Sequence, residues 1–269
     1  MKLPAGLLAY VLLVSVSFRV GFANDSVTVT GEILDAESYS LLPARLYIQS
    51  ADGKWFWARS TSRLKSAVEY RKQRSATSVE MHTTLPAHPF EVDLPPGQYT
   101  LTVERGKEYF PVIRTIQVGN RPMSVTFKMR RWIHAAARGW YSGDTHVHRT
   151  LAELPNIVLA EDLNVALPLT NWVTTAYTPP GRGNKNRNAK VEPKLIEADE
   201  THVIYPVNTE YEIFSVNGKR HTLGAIFVLN HKTQLTPGVP PVGPVAKEAR
   251  RHGGKAGSSI STSIPGRGH

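Results

Sequence analysis

Two histidines separated by one residue follow an aspartate in the segment Gly139–His148, which reads Gly-Trp-Tyr-Ser-Gly-Asp-Thr-His-Val-His. On a β-strand alternate side chains lie on one face, so Asp144, His146 and His148 are expected to project together. Imidazole nitrogen and carboxylate oxygen are ligands that suit zinc, manganese or iron. The spacing therefore predicts a divalent-metal site, with Asp144 as a possible further ligand. The alternative is a chance His-x-His pair on an exposed strand.

A second group of possible ligands surrounds the dipeptide Asn217-Gly218, which is a strong signal for a two-residue hairpin loop. In the register set by that loop, Glu210, Glu212 and His221 share one face of the hairpin, and Glu212 is the diagonal neighbour of His221. This face offers two carboxylates and an imidazole to a metal. The alternative is an ordinary cross-strand pair on the surface.

The elements that precede these motifs are short strands separated by turn signals, without a helical period between them. This pattern predicts an all-β, antiparallel sandwich in the first half of the chain. The segment from Arg59 to Thr84 fits the pattern least, and we expect an inserted loop or helix there. His82 and His88 stand alone on a polar stretch and are expected at the surface. The predicted strands begin near Val27 and include Ala44–Ile48, Phe90–Leu94, Tyr99–Glu104, Val112–Val118 and Met123–Lys128.

The amino-terminal residues Met1–Ala23 have the pattern of a cleavable secretory signal. Lys2 precedes an apolar run from Leu7 to Val16, and small residues precede the cleavage point. The run is interrupted by Arg19 and is shorter than the roughly 20 residues that a bilayer requires. We therefore expect a secreted or periplasmic protein with no membrane span after signal cleavage.

The amino-acid composition excludes several kinds of functional site and partner. The 269 residues include no cysteine, which excludes disulfide scaffolds, thiol nucleophiles and cysteine-ligated metals. The formal net charge of +10 could attract an anionic partner. No aromatic residues alternate with the basic ones as stacking platforms, so no nucleic-acid partner is expected and solvated loops are the preferred interpretation. The basic residues concentrate at Arg59, Arg63, Lys65, Arg71, Lys72 and Arg74, and again at Arg182, Lys185, Arg187, Lys190 and Lys194.

The segment Asp144–His148 resembles the first motif of the polymerase and histidinol phosphatase (PHP) superfamily of metallohydrolases, and Gly139–Gly143 resembles its extracytoplasmic CehA/McbA-like branch. The resemblance implies a distorted β/α barrel in which two or three divalent ions activate water for hydrolysis. It also implies that Glu210 and His221 join His146 and His148 as metal ligands. It assigns no further catalytic residue and no organic cofactor.

The first half resembles a carboxypeptidase-regulatory-like β-sandwich, through Val29–Asp35 and Leu94–Leu101. Together the two resemblances predict an all-β sandwich followed by a partial, incomplete α/β barrel of PHP type. The expected divisions are a signal peptide at 1–23, the sandwich at 24–129, a linker at 130–138, the PHP-like part at 139–254 and an unrelated Ser/Gly-rich tail at 255–269.

Two departures from the PHP pattern are visible. Leu159–Thr170 resembles a helix-to-strand step that normally ends in Thr-Asp-His, but Asn171 and Trp172 follow here, so two ligands are missing. The candidates to replace them are Glu161, Asp162 and His202. The segment after Gly139 is also shorter than the roughly 250 residues of a closed barrel, and no strand alternation is visible after Gly254. We expect a truncated barrel, whether through a premature stop, a shifted reading frame or a gene fragment.

Three functions remain open from the sequence. The first is a secreted metal-dependent hydrolase, weakly active or inactive, acting on a small-molecule substrate that the sequence does not identify. The second is a non-catalytic extracytoplasmic binding or spacer protein built on the sandwich. The third, which the sequence favours least, is a cationic binder of the envelope or of nucleic acid.

Overall fold

The structure is a computed structural model that describes residues 26–63, 67–220 and 225–259. The predicted signal peptide, His221 and residues 260–269 lie outside the described residues. Within the described ranges, no helix is both long and apolar enough to cross a membrane.

The first half of the chain forms a two-layered β-sandwich, as the sequence predicts. The strands are β1 (Val27–Asp35), β2 (Ala44–Ser50), β3 (Trp55–Phe56), β4 (Arg59–Ser60), β5 (Val68–Gln73), β6 (Val79–Leu85), β7 (Phe90–Leu94), β8 (Gly97–Glu104), β9 (Val112–Val118) and β10 (Met123–Met129). One sheet has the strand order β10-β1-β7-β4, and the other has the order β5-β6-β2-β8-β9 with β3 paired to β2. Alternate residues of the strands point inward, and the buried core they form lies wholly between Val27 and Met129.

The sandwich differs from the prediction in one strand pair. β1 and β10 run parallel, with Val29 opposite Met123, whereas β1 and β7 run antiparallel, with Val29 opposite Val92. A parallel pair needs a long connection between its strands. The strands between β1 and β10 provide that connection, and most of them belong to the facing sheet.

The expectation of a loop or helix over Arg59–Thr84 is wrong for the described residues of that segment, which hold β4, the hairpin β5–β6 and no helix. Four of the six residues of β5 are exposed, so the strand has little apolar alternation to show in the sequence. His82 on β6 is 5% exposed and therefore not a surface residue. Its ring lies between those of Tyr47 and Tyr70, with centroids at 5.0 Å and 5.6 Å.

The second half contains ten further strands and two α-helices in the described residues. The elements are β11 (Gly143–Val147), α1 (Leu154–Ala160), β12 (Val165–Pro168), β13 (Asn171–Thr175), β14 (Gly181–Arg182), β15 (Ile196–Glu197), β16 (Val203–Ile204), β17 (Thr209–Val216), β18 (Lys219–Arg220), β19 (Ala225–Leu229), α2 (Val242–Arg251) and β20 (Lys255–Ser259). One sheet has the order β11-β12-β16-β15, and the other has the order β14-β13-β17-β19-β20 with β18 paired to β17.

The second half has the parallel pairing that a β/α fold requires, but its described residues form no closed barrel. β11, α1 and β12 make one βαβ unit, and β12 also runs parallel to β16. β13 runs parallel to β17, while β19 and β20 extend that sheet in antiparallel fashion. Two small cores fill this half, one around α1 and one around α2. The overall structure is thus mostly β-sheet.

The carboxyl-terminal sheet gives one agreement and one correction. Val216 lies opposite Lys219, and Asn217 and Gly218 have φ angles of 49° and 74°, so the hairpin loop is the predicted two-residue turn. Lys255–Ser259, assigned to the Ser/Gly-rich tail without strand alternation, instead forms β20 along β19. The apolar run of β19 offers a ladder partner to a segment whose own sequence has no strand pattern.

The two halves are packed against each other. Helix α1 lies against β2 and β6, and the Asn156 amide donates to the Thr84 carbonyl at 3.2 Å. The Arg45 guanidinium reaches Glu161 at 3.4 Å. The sandwich therefore contacts the βαβ unit that carries the histidine strand.

Candidate metal centre

His146 and His148 come from β11 and the residue after its end. β11 is the edge strand of its sheet, and its register against β12 shifts between Asp144 and Val147. The two imidazole rings lie with their centroids 5.2 Å apart. His146 also packs on the Phe227 ring at 4.8 Å. The pair therefore lies at the side of β11 that faces β19 of the other sheet.

Glu210 approaches this pair from β17, a central strand of the other sheet. It lies between Trp172 of β13 and Phe227 of β19 in the ladder. Its carboxylate is 3.3 Å from His146 Nε2 through Oε1 and 2.9 Å from His148 Nε2 through Oε2. One ligand atom from each of the three residues lies within 4.8 Å of the others. The geometry brings three of the four predicted ligands together.

The Glu210 carboxylate is fully buried, and neither of its oxygens has a hydrogen-bond donor among the described residues. The Nε2 atoms of His146 and His148 lie within hydrogen-bonding distance of these oxygens, but they are not oriented to donate a hydrogen bond to them. A buried carboxylate without donors is costly unless a cation neutralises it. A carboxylate that faces two imidazole nitrogens offers the oxygen and nitrogen ligands that a divalent transition metal binds. The residues present therefore fit such an ion.

Asp144 is not part of this convergence. Its Oδ1 atom accepts a hydrogen bond from the His146 backbone N–H at 2.8 Å, and the residue is exposed. The register shift in β11 breaks the simple alternation that predicts a common face for Asp144 and the histidines. In this structure Asp144 braces the backbone of a ligand residue. His221, the other predicted ligand, lies outside the described residues.

A pocket of about 490 Å³ opens beside the three ligands. Trp172 forms part of its wall, and its ring lies 5.7 Å from that of His148. Burial, and then the charge of Glu210, raise the pKa of the Glu212 carboxyl, while Trp172 and the two imidazoles act in the opposite direction. The pocket is lined by His146, His148, Leu169, Trp172, Gly183, Asn184, Lys185, Asn186 and Glu212.

The basic loop around Lys185 forms the rim of this pocket. Lys185 is exposed, as expected of a charged loop, but its Nζ atom donates to the His148 carbonyl at 2.6 Å. Asn186 is buried, and its amide donates to the Arg149 carbonyl at 2.9 Å. Burial, and then the charges of Arg149 and Lys72, lower the pKa of Lys185. The sequence gives no periodicity from which these contacts could have been inferred.

Glu161, Asp162 and His202, considered as replacement ligands, do not lie in the metal centre. Asp162 is paired with Arg105 at 2.7 Å and with Arg131 at 2.8 Å, and Glu161 is paired with Arg45. His202 Nδ1 lies 2.8 Å from Asp199 Oδ1 and its Nε2 lies 3.6 Å from Asp162. These residues belong to the interface with the sandwich. We call the group Arg105, Arg131, Asp162, Asp199 and His202 the interface cluster.

The interface cluster shifts the pKa values of its members. Burial disfavours the charged carboxylate of Asp162, but His202, Arg105 and Arg131 outweigh that effect and hold its pKa below the usual range. For His202, burial opposes protonation, but its contacts with Asp162 and Asp199 prevail and raise its pKa. Both shifts favour the charged forms in the folded protein.

Comparison with known proteins gives no family assignment. No family model matches the chain, and no curated protein matches it. Among solved structures, the group B streptococcus pilus 2b backbone protein matches 39% of this chain and 40% of its own length, at 13% identity and a TM-score of 0.28. The carboxyl-terminal domain of the shaft pilin spaA from Lactobacillus rhamnosus GG matches 39% of this chain and 98% of its own length, at 14% identity and a TM-score of 0.25. The chain spans 40% of the length of the group B streptococcus protein that it matches.

Proposed function

We propose that this protein binds a divalent transition metal at His146, His148 and Glu210, and that the site supports hydrolysis of a small-molecule substrate at a low rate. The observation that carries the proposal is the buried Glu210 carboxylate, whose two oxygens have no hydrogen-bond donor in the described residues and face two imidazole nitrogens. This proposal agrees with the PHP-like motif, and we propose the second half to be part of a barrel of that type.

Three protein donors leave room for further ligands, which is the usual arrangement of a catalytic rather than a structural zinc site. When bound, such an ion supplies Lewis-acid activation of water. The chain itself supplies an apolar part of the pocket wall through Trp172 and Leu169. Asp144 fixes the His146 backbone, and Glu212 adds a second carboxylate to the pocket.

The low rate follows from what the site lacks. Asn171 and Trp172 stand where the family pattern has two ligands, and the three residues considered as replacements lie in the interface with the sandwich. His146 and His148 are also 51% and 37% exposed, so the ligand side is open to solvent. Catalysis depends on ligands and substrate held in a defined geometry, and an open site holds them poorly.

Metal binding is tested by equilibrium dialysis of the full chain against zinc and manganese, followed by metal analysis. We expect binding in the native protein and its loss in the double variant His146→Ala, His148→Ala. The matched control is the double variant His88→Ala, His134→Ala, which removes two histidines outside the site. Unchanged metal content in the first double variant would refute the site.

A second candidate function is a non-catalytic extracytoplasmic binding or spacer protein. The observation that favours it is the sandwich, whose core is complete within Val27–Met129, whereas the second half contains only small cores and no closed barrel in its described residues. Metal uptake without turnover of any 4-nitrophenyl ester or phosphoester would favour this candidate. Turnover that requires the metal and is lost in Glu210→Gln would favour the hydrolase.

We further propose that the protein acts outside the cytoplasm. The signal pattern of Met1–Ala23 supports this location. Intact mass of the exported protein is expected to begin at Asn24. A mature product that retains Met1 would contradict the proposal.

A further inference from the structure

Two basic side chains, Lys72 and Arg149, lie on one tyrosine ring, and a third, Lys185, lines the metal pocket. We call these three residues the cationic cluster. The Arg149 guanidinium lies over the Tyr70 ring, 4.1 Å from its centroid, and the Lys72 ammonium lies 5.8 Å from the same centroid. Lys185 is held by its hydrogen bond to the His148 carbonyl. Lys72 belongs to the sandwich and the other two residues to the second half, so the seam between the halves brings the cluster together.

No ion pair within 4 Å neutralises these three cations in the described part of the chain. Glu80 lies opposite Lys72 in the β5–β6 ladder, but its carboxylate is paired with Arg74 at 3.8 Å. Glu153 is the acidic group whose charge acts on Lys185, and it is opposed by both Arg149 and Lys72. Most other basic residues near the seam, such as Arg45, Arg105 and Arg131, do have carboxylate partners. Like charges gathered without a counter-charge favour the binding of an anion.

The position of the cluster relates it to the pocket. Lys185 is part of the pocket wall and donates to the carbonyl of His148, and Arg149 directly follows His148 in the chain. The pocket wall also includes the apolar side chains of Leu169 and Trp172. A ligand in this pocket therefore meets an apolar surface on one side and positive charge at the rim.

We propose that the cationic cluster is a subsite for an anionic group, carboxylate, sulfate or phosphate, carried by a small organic ligand whose apolar body occupies the pocket. The proposal rests on the proposed function in that this ligand is the substrate, and the anionic group lies away from the bond that reacts. Arginine and lysine at the rim bind the anion through charge-assisted hydrogen bonds, and the partly desolvated setting strengthens them.

The test compares 2-naphthoate with 2-naphthamide, which share one apolar body and differ in charge, by calorimetric titration of the full chain. We expect naphthoate to bind about tenfold more tightly, with a preference that falls as sodium chloride is raised. Lys72→Gln, Arg149→Gln and Lys185→Gln are each expected to reduce the preference several-fold. Lys72 is exposed, so Lys72→Gln is the variant least able to disturb folding. The matched control is Lys190→Gln, whose charge is already paired with Glu192.

Each titration is repeated with a chelator, so that the failure of this inference differs from the failure of the metal proposal. A preference for naphthoate that persists with chelator and falls in Lys72→Gln supports the cluster even if no metal binds. A preference that disappears with chelator and is indifferent to the three variants places the anion on the metal and overturns the inference. Equal affinity for the two probes overturns it as well.

Discussion

The guanidinium of Arg105 in the sandwich and the carboxylate of Asp162 in the second half form a salt bridge of 2.7 Å in which each side chain is only 6% exposed. Asp162 also accepts from Arg131, and Arg105 donates to the Pro43 carbonyl at 2.7 Å. The turn after α1 is therefore fixed to the sandwich by buried charges. Because the same βαβ unit carries the histidine strand, the sandwich helps to position the metal centre.

Asp162→Asn leaves Arg105 buried without its counter-charge, whereas Arg131 keeps its ion pair with Glu108. We expect the free energy of unfolding to fall by about 3–5 kcal/mol, as is typical when one partner of a buried ion pair is removed. Asp93→Asn is the matched control, because its bridge to Arg59 is 55% and 40% exposed and should contribute at most about 1 kcal/mol. Equal losses in the two variants, measured by urea denaturation, would contradict this account.

His202 should make stability depend on pH with a definite sign. Its pKa in the folded protein is raised above 6.5, so its stabilising contribution is complete below pH 6.5 and is lost as pH rises through the folded pKa. The stability difference between the native protein and His202→Gln is thus expected to shrink from pH 6 to pH 9.

His82 should make stability depend on pH in the direction opposite to that of His202. Burial, and then the charges of Arg45 and Arg149, lower its pKa to about 3. The unfolded chain therefore takes up a proton at His82 below pH 6.5 while the folded chain does not, and stability is lost as pH falls toward 3. Relative to His82→Gln, the native protein should lose stability between pH 7 and pH 4. Identical pH profiles for the two proteins would show that His82 is not buried as described.

The variant Glu210→Gln distinguishes the effect of Glu210 on folding stability from its effect on metal binding. Removing a buried carboxylate that has no hydrogen-bond donor should raise the metal-free stability by about 1–3 kcal/mol. The same variant should lose the stabilisation that metal confers on the native protein, which is about 2.7 kcal/mol at a metal concentration of 100 Kd. Thermal unfolding with chelator and with added zinc measures both effects. A variant that is less stable without metal would indicate that Glu210 has a structural role.

Gly31 tests the packing of the sandwich. A methyl group at this position would overlap the Phe90 ring and lie 2.9 Å from Val125 Cγ2. We expect Gly31→Ala to reduce the free energy of unfolding by about 1–3 kcal/mol, the usual cost of overpacking a core. Gly119→Ala is the control, since a methyl group there would have no atom within 4 Å beyond its chain neighbours. Equal losses of stability in the two variants would contradict the packing described for Gly31.

The strands of the sandwich were largely predictable because a half-buried strand shows its inward residues as apolar alternation. β7 and β9 match the predicted spans, and β2, β8 and β10 extend them by one or two residues. The hairpin β5–β6 escaped prediction because β5 is mostly exposed and charged. β20 escaped it because its ladder partner, and not its own composition, makes it a strand.

The candidate site was predictable only in its local part. The His-x-His spacing identified His146 and His148, and the hairpin signal drew attention to Glu210. That Glu210 is buried and faces both imidazoles depends on how the sheet of β17 lies against β11, which no local pattern records. The roles of Asp162 and Lys185 depend in the same way on residues far away in the chain.

His146 and Glu210 belong to two sheets whose hydrogen-bond ladders do not join in the part of the chain that the structure describes, and His148 directly follows the first of these two strands. A cation shared by these side chains would act as a cross-link that makes the two sheets open and close as one cooperative unit. Without it, amide hydrogens of β11 and β17 would exchange through separate openings, while those of the sandwich would keep their own protection. In that sense a bound metal would determine how many independently unfolding units the second half contains.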